Sequence, residues 1–468
     1  MRRLAPLLAA AFALAGCLGE RPPIPAAATV SPPAAWRTPV TGQAAIDPDW
    51  WQAFGDPNLD ALVQRALANN ADVDQAAAAV AEARARLRLA KANRGPEIDI
   101  AAIGGFTRQL EVTGPITTWG AEPEATIGYD FDLFGRLANA SAAAQAELLS
   151  TKASRDAMAL AVASTTASAY INLLGLDEQL RIAHETVTAR AEEFRIQQRL
   201  TDRGYSSQLE LRQAEAEYRA AQDLVPQLEL SVSKAENALS VLLGASPAAV
   251  QREQSGLQRL AAPVIPAGLP SDLLRRRPDI YAAEETVVAA DRSLDSARAA
   301  MLPQFSLTGD VGGAFATVLP TPESFYLIGV SALAPILDSG RRRANADVTA
   351  AQRNEAAFAY RGVALRAFQE VEDALASIQR LEEQRQVLAD EVTADAAALR
   401  VASERYQAGY TPYIDQIDAQ RSLLSAQLAL AQVESDRLQA FVTLYRAMGG
   451  GWSQSASAAF LASAPEKP

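Results

Sequence analysis

Two carboxylates close to the C-terminus have a spacing that could form a charged site. Asp415 and Asp418 lie three residues apart in a stretch with helical periodicity, so both side chains belong to one face of a helix. Carboxylates placed together in this way attract cations, repel anions and respond to protonation. The simpler interpretation is a solvated helix face on which Arg421 neutralises Asp418 from three residues away. The spacing alone leaves both interpretations open.

No pattern of residues indicates catalysis. The chain has one histidine, His184, and one cysteine, Cys17, which excludes the usual zinc patterns and argues against a Ser-His-Asp site. The sequence contains no glycine-rich loop of the Walker type. The formal net charge of −12 disfavours a nucleic acid partner, because phosphate binding requires clustered cations. We therefore predict a protein that is not an enzyme and uses no metal or dissociable cofactor.

The elements that must position the carboxylates occur twice in the chain. Two dipeptides recur after a displacement of 205 residues: Gly135-Arg136 returns as Gly340-Arg341, and Gly204-Tyr205 returns as Gly409-Tyr410. A displacement that stays constant from one dipeptide to the next indicates two copies of one structural unit with helices of equal length. We place the first copy at 50–256 and the second at 257–452.

Each copy predicts a long helical hairpin. The predicted helices are 137–203 and 207–243 in the first copy, and 341–408 and 412–448 in the second. The first helix of each pair would be about 100 Å long at about 1.5 Å per residue. Apolar residues at heptad spacing favour side-by-side packing of these helices. Gly204 and Gly409 are predicted to end the first helix of each pair in the left-handed conformation.

The return helices carry their own start signals. Ser207 with Glu210 predicts a capping box, and Thr411 before Pro412 predicts an N-cap followed by a proline in the first turn. Pro226 lies inside the first return helix and predicts a kink there. The charged pair described above would therefore lie in the first turns of the last long helix.

Four strands are predicted between the helices, at 97–108, 122–134, 304–314 and 325–336. Apolar residues alternate with polar ones in these segments, which is typical of a strand between two different surroundings. The Gly135-Arg136 and Gly340-Arg341 corners are predicted to lead from strand to helix. The glycine permits an unusual backbone angle there, and the arginine serves packing and ion pairing. The pattern fits transmembrane barrel strands and a half-buried sheet in a soluble domain equally well.

Four strands cannot close a barrel by themselves, so the chain has to assemble. Bacterial barrels in lipid begin at about eight strands, because an open sheet edge exposes unpaired backbone groups. Two chains would supply eight strands and three chains would supply twelve. The physics of the sequence does not choose between these two assemblies.

The N-terminus has the composition of a targeting signal. Arg2 and Arg3 precede an apolar stretch that is too short to span a bilayer as a helix. The sequence LAGC, which ends at Cys17, resembles the lipobox of bacterial lipoproteins and implies removal of residues 1–16 and acylation of Cys17. Leu18 is not the aspartate that marks inner-membrane retention in enteric bacteria, so the resemblance points to the outer membrane. Residues 17–49 are predicted to form an extended Pro/Ala tether and residues 453–468 a disordered tail.

Three separated motifs resemble one protein family. The motifs are WWQAFGDPNL at 50–59, DLFGR at 132–136 and LLRRRPDI at 273–280. They resemble the outer-membrane factors of tripartite efflux systems, the TolC-like family, in the lipoprotein branch that pairs with resistance-nodulation-division pumps. The resemblance covers the chain from Trp50 to Trp452.

This resemblance implies a fold and a function. It implies an α+β membrane protein that trimerises into a twelve-strand barrel in the outer membrane and a twelve-helix periplasmic barrel. The channel would carry drugs or other small molecules to the outside from an inner-membrane resistance-nodulation-division transporter and a periplasmic adaptor protein. The segment 413–420 resembles the constriction at the periplasmic tip. There, Asp415 and Asp418 of three chains would form a ring of six carboxylates that gates the channel.

Two other functions are compatible with parts of the sequence. A lipid-anchored periplasmic scaffold would share the lipobox and the heptads but would have no pore. The apolar side chains of the strand at 122–134 should face lipid in the channel and a protein core in the scaffold. An enzyme that uses Asp130 and Asp132 as a carboxylate pair is the weakest alternative, because the strand brings no other functional group near them.

Overall fold

The computed structural model describes residues 20–38, 46–111, 114–252, 256–263, 270–317, 319 and 321–453. The helices in this part of the chain are α1 Pro57–Asn69, α2 Ala71–Ala92, α3 Arg136–Asp202, α4 Gln208–Leu242, α5 Pro270–Arg276, α6 Pro278–Ala299, α7 Arg341–Gln407 and α8 Tyr413–Ala447. The strands are β1 Glu97–Glu111, β2 Gly114–Phe131, β3 Gln304–Ala316 and β4 Glu323–Leu333. The predicted leader, Cys17 and the tail beyond Ser453 lie outside the described residues.

The four strands form one antiparallel sheet in the order β1-β2-β3-β4. The pair β1–β2 comes from the first sequence copy and β3–β4 from the second, and the two copies meet where Ile127 lies opposite Gly309. A Cβ on Gly309 would lie 2.8 Å from the Ile127 side chain, so the close approach of the two strands requires glycine at this position. The outer edges of β1 and β4 have no partner strand among the described residues.

The second strand differs from the predicted one at both ends. It begins at Gly114 and stops at Phe131, whereas the predicted strand covered 122–134. The prediction placed Asp132 in the strand, but its carboxylate accepts hydrogen bonds from the backbone N–H groups of Leu137 at 3.1 Å and Ala138 at 2.6 Å. Asp132 therefore caps the start of α3, and the chain leaves the strand before it. The fourth strand likewise ends at Leu333 and does not reach 336.

The long helices lie within one residue of their predicted bounds. Helices α3 and α7 each contain 67 residues, and α4 and α8 each contain 35. Gly204 and Gly409 have φ angles of 78° and 77°, in the left-handed region that was predicted for them. Next to each glycine, the N–H of the following tyrosine bonds to the carbonyl five residues before it, at 2.9 Å in both copies. These bonds satisfy carbonyls that the end of a helix would otherwise leave free.

The two return helices begin differently. Helix α4 has the predicted capping box, in which Ser207 and Glu210 bond each other's backbone N–H. The predicted Thr411 N-cap of α8 is wrong, because Pro412 occupies that position and the Thr411 hydroxyl has no partner among the described atoms. Helix α4 continues through Pro226 as a single element.

The predicted tether is bound along part of its length. Residues 17–49 were predicted to be an extended Pro/Ala tether, and in the described part of it Arg353 of α7 donates to the carbonyls of Pro22 and Pro23. A short 3-10 turn, Ala26–Ala28, lies in the same segment. The sequence did not predict these contacts, because a Pro/Ala composition describes only the local preference of the chain and not the groups that bind it.

The compact units do not coincide with the sequence copies. One unit contains the described parts of Met1–Val30, Ala78–Ala153 and Tyr281–Val363, and therefore the sheet with α6 and the first parts of α3 and α7. The other unit contains the described parts of Ser31–Ala77, Ser154–Ile280 and Ala364–Pro468, and therefore both hairpin turns. Each unit takes elements from both copies, so the predicted bounds 50–256 and 257–452 mark a duplicated sequence and not two packed domains.

Candidate functional site

One face of the sheet is apolar and largely uncovered. Alternation along the strands and the pairing register put these side chains on one face: Ile98, Ile100, Phe106, Trp119, Ile127, Tyr129, Phe131, Leu307, Val311, Phe315, Tyr326, Ile328 and Val330. Ile100 is 86% exposed, Phe106 79% and Tyr326 83%. Exposed apolar surface of this kind requires lipid or another protein to cover it.

The opposite face of the sheet carries the carboxylates, together with a few apolar side chains such as Ile103 and Leu327. The same register puts seven carboxylates of the described strand side chains there: Glu97, Asp99, Glu122, Glu124, Asp130, Asp310 and Glu323. Arg108 is the only base among the strand residues, and it belongs to the apolar face. A sheet with one apolar face and one charged face is suited to separate a membrane from water.

The apolar side chains that were expected to distinguish a channel from a scaffold are only partly covered by protein, and Tyr129 among them is half-buried. Ile127 and Phe131 of β2 are 38% and 37% exposed. Leu133, which was predicted to extend this row, lies beyond the strand in the turn before α3 and is exposed. The arrangement of β2 therefore favours contact with lipid over contact with a soluble core.

The two predicted strand-to-helix corners have similar backbone geometry. Gly135 and Gly340 have φ angles of 75° and 82°, which favours glycine at both corners. Arg136 donates to Asp130 at 3.2 Å, and the backbone N–H of Arg341 donates to the carbonyl of Asp338 at 3.2 Å. The predicted ion pairing is therefore seen for the Arg136 side chain, whereas the contact at Arg341 is made by its backbone.

The predicted charged pair lies at the tip of the second hairpin. Asp415 and Asp418 are exposed in the first two turns of α8. The other side of this helix is buried: Tyr413 and Ile417 pack against Ala214 of α4, with Phe194 and Tyr406 at the edge of the cluster. This packing fixes the helix in the rotation that turns the two aspartates outward.

Polar contacts behind the aspartates join the two hairpins. Glu193 of α3 accepts hydrogen bonds from Gln416 and Gln420 of α8. Tyr406 of α7 accepts a hydrogen bond from Gln197 of α3 at 2.7 Å. These contacts were not predicted from the sequence, because the partners are more than 200 residues apart. The one sequence signal for these contacts was that glutamine and glutamate occupy positions on the packed faces of the hairpins.

A buried cation lies beside this network. Arg190 is 5% exposed, and its Nη2 atom lies 4.0 Å from Glu217 of α4. Burial lowers the pKa of the Arg190 guanidinium, and the nearby Glu217 and Glu193 carboxylates act in the opposite direction. Arg421 of α8 also donates to Glu217, with its Nε atom 3.1 Å from Oε1. Glu217 therefore accepts from α8 while lying next to the buried cation of α3.

Arg421 divides its contacts between two carboxylates. It donates hydrogen bonds to Glu217, and its Nη1 atom lies 3.8 Å from Oδ1 of Asp418, which is an ion-pair distance but too long for a hydrogen bond. Asp415 forms no ion pair with any described residue. Both aspartates are exposed, and Asp418 keeps the long ion pair to Arg421. No group of three or more metal-ligating side chains converges anywhere in the described ranges.

The comparisons with known proteins identify the family of this chain. A family model described as "Outer membrane efflux protein" matches residues 62–245 and 269–450, one match in each sequence copy. The pyoverdine export outer membrane protein OpmQ of Pseudomonas putida is 34% identical over 460 residues, covering 95% of this chain and 97% of the relative.

Solved structures agree with this match. The outer-membrane channel OprN has a TM-score of 0.83 and 27% identity, with 93% of this chain and all of OprN covered. The MtrE outer membrane channel of Neisseria gonorrhoeae, solved in its open state, has a TM-score of 0.79 and 28% identity, with 93% and 98% covered. The chain belongs to the outer membrane efflux protein family, and its function is that of an outer-membrane efflux channel.

Proposed function

We propose that three copies of the chain form the exit duct of a tripartite efflux pump. The free edge of β1 in one copy would pair with the free edge of β4 in the next, which closes a barrel of twelve strands. The supporting observation is the four-stranded sheet itself, with an exposed apolar face and two outer edges that lack a partner in the described chain. A bilayer does not tolerate such edges, because water cannot satisfy the backbone groups there.

The duct would receive small molecules from a periplasmic adaptor and an inner-membrane transporter of the resistance-nodulation-division type. The long hairpins α3–α4 and α7–α8 would form the periplasmic barrel and meet the adaptor at their tips. Asp415 and Asp418 would line the tip, where six carboxylates in three chains make the closed state favour cations. Cys17 would carry the covalent lipid that adds an anchor in the outer membrane.

Stoichiometry and conductance together test this proposal. The purified protein in detergent should have three times the mass of one chain by light scattering, and it should form pores in a planar bilayer. A mass of two chains would support a barrel of eight strands in place of twelve. A single-chain particle without conductance would contradict the channel and favour the scaffold without a pore. Mass spectrometry of the mature N-terminal peptide tests the acylation of Cys17.

The scaffold is the less favoured function, because it does not explain the sheet. A spacer requires the helical hairpins but not a sheet with exposed apolar side chains. The carboxylate-pair enzyme loses its premise, since Asp132 caps α3 and Asp130 pairs with Arg136.

A further inference from the structure

The segment 21–27, here called the strap, is fastened to helices α6 and α7 at several points. Its first residue, Arg21, forms ion pairs with Asp291 at 2.8 Å and with Asp295 at 3.1 Å, both on α6. At its far end, Arg361 of α7 donates to the carbonyl of Ala27 at 2.8 Å. The strap is therefore held at both ends by groups that lie far away in the sequence.

The central contact of the strap is a fully buried guanidinium. The side chain of Arg353 is 0% exposed, and it donates to the Pro22 carbonyl at 2.8 Å and the Pro23 carbonyl at 3.0 Å. Asp291 lies 3.8 Å away as its nearest carboxylate. A buried cation is costly unless its donors are bonded, so the two carbonyls stabilise Arg353 as much as Arg353 stabilises them.

The two prolines suit this contact. Proline has no N–H and a fixed φ angle, so a Pro-Pro dipeptide is already extended and loses little conformational entropy on binding. The carbonyls of Pro22 and Pro23 form no hydrogen bonds within the strap, so they can accept from the guanidinium N–H groups of Arg353. Arg21 is 45% exposed, so its ion pairs contribute little by themselves. Arg353 is therefore the residue on which the position of the strap depends most.

The strap shortens the free chain between the lipid and the body of the protein. Only Leu18, Gly19 and Glu20 separate Cys17 from Arg21, and the Glu20 carbonyl accepts a long hydrogen bond from Arg298 of α6 at 3.4 Å. Four residue steps span at most about 14 Å, whereas a free tether from Cys17 to Trp50 could span about 110 Å. We propose that the strap, fixed by Arg353 as the positioning residue, keeps the acylated N-terminus within this short reach of α6 and thereby limits how far the sheet can move relative to the membrane surface. This inference rests on the proposed acylation of Cys17.

Matched deletions test the limit on the free chain. Deleting Gly19 and Glu20 shortens the free chain to about 7 Å. Deleting Thr41 and Gly42, beyond the strap, removes the same number of residues without changing that span. We expect the first deletion to reduce the folded, heat-modifiable protein in the outer membrane about fivefold or more, and the second to leave it unchanged. Adding Arg353→Met to the first deletion protein should restore its amount in the outer membrane. The substitution releases the strap and so lengthens the part of the chain that can extend freely.

Chemical labelling tests the contact without reference to the lipid. Ala28, beside the strap, is 5% exposed. In an Ala28→Cys protein we expect maleimide labelling about tenfold faster when Arg353→Met is added, as for the loss of about 1.4 kcal/mol of local protection. If Arg353→Met does not fold, the pair Arg21→Ala with Arg361→Ala opens the strap from exposed positions.

Two results would overturn the inference. One is equal labelling of the Ala28→Cys protein with and without the opened strap, and the other is equal accumulation of the two deletion proteins. Pore conductance separates this outcome from a failure of the channel itself, since a protein with an opened strap should still conduct like the unmodified chain. A loss of conductance in the unmodified chain would refute the proposed function and not the strap.

Discussion

At the scale of single residues, the charge at the hairpin tip depends on which carboxylate Arg421 pairs with. Arg421 lies three residues from Asp418 but donates to Glu217, which is 9% exposed and lies close to the buried Arg190. Desolvated partners hold each other more firmly than solvated ones, because water competes less for their hydrogen bonds. Arg421 is therefore held mainly by Glu217, and Asp418 keeps only a longer ion pair to it at 3.8 Å.

Removing these charges should open the tip. The double variant Asp415→Ala with Asp418→Ala should raise single-channel conductance and abolish block by divalent cations, because the constriction loses its carboxylates. The matched control is Asp390→Ala, which removes an exposed carboxylate from α7. Unchanged conductance of the double variant in a planar bilayer would place the constriction elsewhere.

Removing the partner of the buried cation should destabilise the tip. Glu217→Ala leaves Arg190 buried without its closest carboxylate, which costs about 3 kcal/mol of unfolding free energy. Glu215→Ala, two residues away, breaks only the exposed pair with Arg212 and should cost less than about 0.5 kcal/mol. Urea unfolding followed by helical circular dichroism measures both variants. An equal decrease in unfolding free energy for the two variants would show that the contact between Glu217 and the buried Arg190 does not stabilise the tip.

At the scale of elements, the start of α4 should respond to pH. Burial acts to raise the pKa of Glu210, but hydrogen bonds from Ser206 and Ser207 outweigh burial and hold that pKa below its ordinary value. A carboxylate with a lowered pKa contributes stability above its unfolded pKa of about 4.3, and this contribution disappears as the pH falls through the folded value.

Hydrogen exchange measures this effect at the cap. Protection of the Ser207 N–H in the unmodified chain should fall as the pH drops from about 5 to about 3. Glu210→Gln keeps an acceptor at the same place, since glutamine also forms capping boxes, so its protection should vary much less over this range. Parallel curves for the two proteins would mean that another group controls the cap.

The turns of both hairpins and the start of α4 were predictable from the sequence, because their signals are local, whereas the caps of α3 and α8 were not. Gly204 and Gly409 act through their own backbone angles, and Ser207 reaches only as far as Glu210. The start of β2 was not predictable, because Thr117 and Thr118 are polar on both faces of the strand. That part of β2 forms because it pairs with β1, as Arg108 with Thr117 and Thr107 with Thr118. A period of two cannot appear where neither face is apolar.

The contacts across the tip and along the strap were also beyond the sequence. Glu193 and Gln416 are 223 residues apart, and Pro22 and Arg353 are 331 apart. Each partner has an ordinary alternative as a solvated side chain or a free linker, and only the packing of whole helices brings the partners together.

At the scale of the whole molecule, the two faces of the sheet should tolerate charge very differently. Phe106→Lys places an ammonium group on the apolar face and should cost about 2–4 kcal/mol if the side chain lies near the middle of the bilayer. Thr107→Lys places the same group on the acidic face of the same strand and should be tolerated. The fraction of heat-modifiable protein after refolding into lipid vesicles measures the difference. Equal yields would contradict contact between this face and lipid.

The order of the strands also bears on how the ancestral gene product assembled. The edge strands β1 and β4 derive from different halves of the duplication, so a seam between neighbouring subunits would join the same pair of halves as the internal β2–β3 seam. A ring of three such chains is a pseudo-hexamer in which every second junction is covalent. Joining two copies in one chain lowers the number of separate subunits that must assemble. It also allows the two hairpins of a chain to differ in sequence. One hairpin begins its return helix with the Ser207–Glu210 capping box, and the other carries Asp415 and Asp418 in the same region.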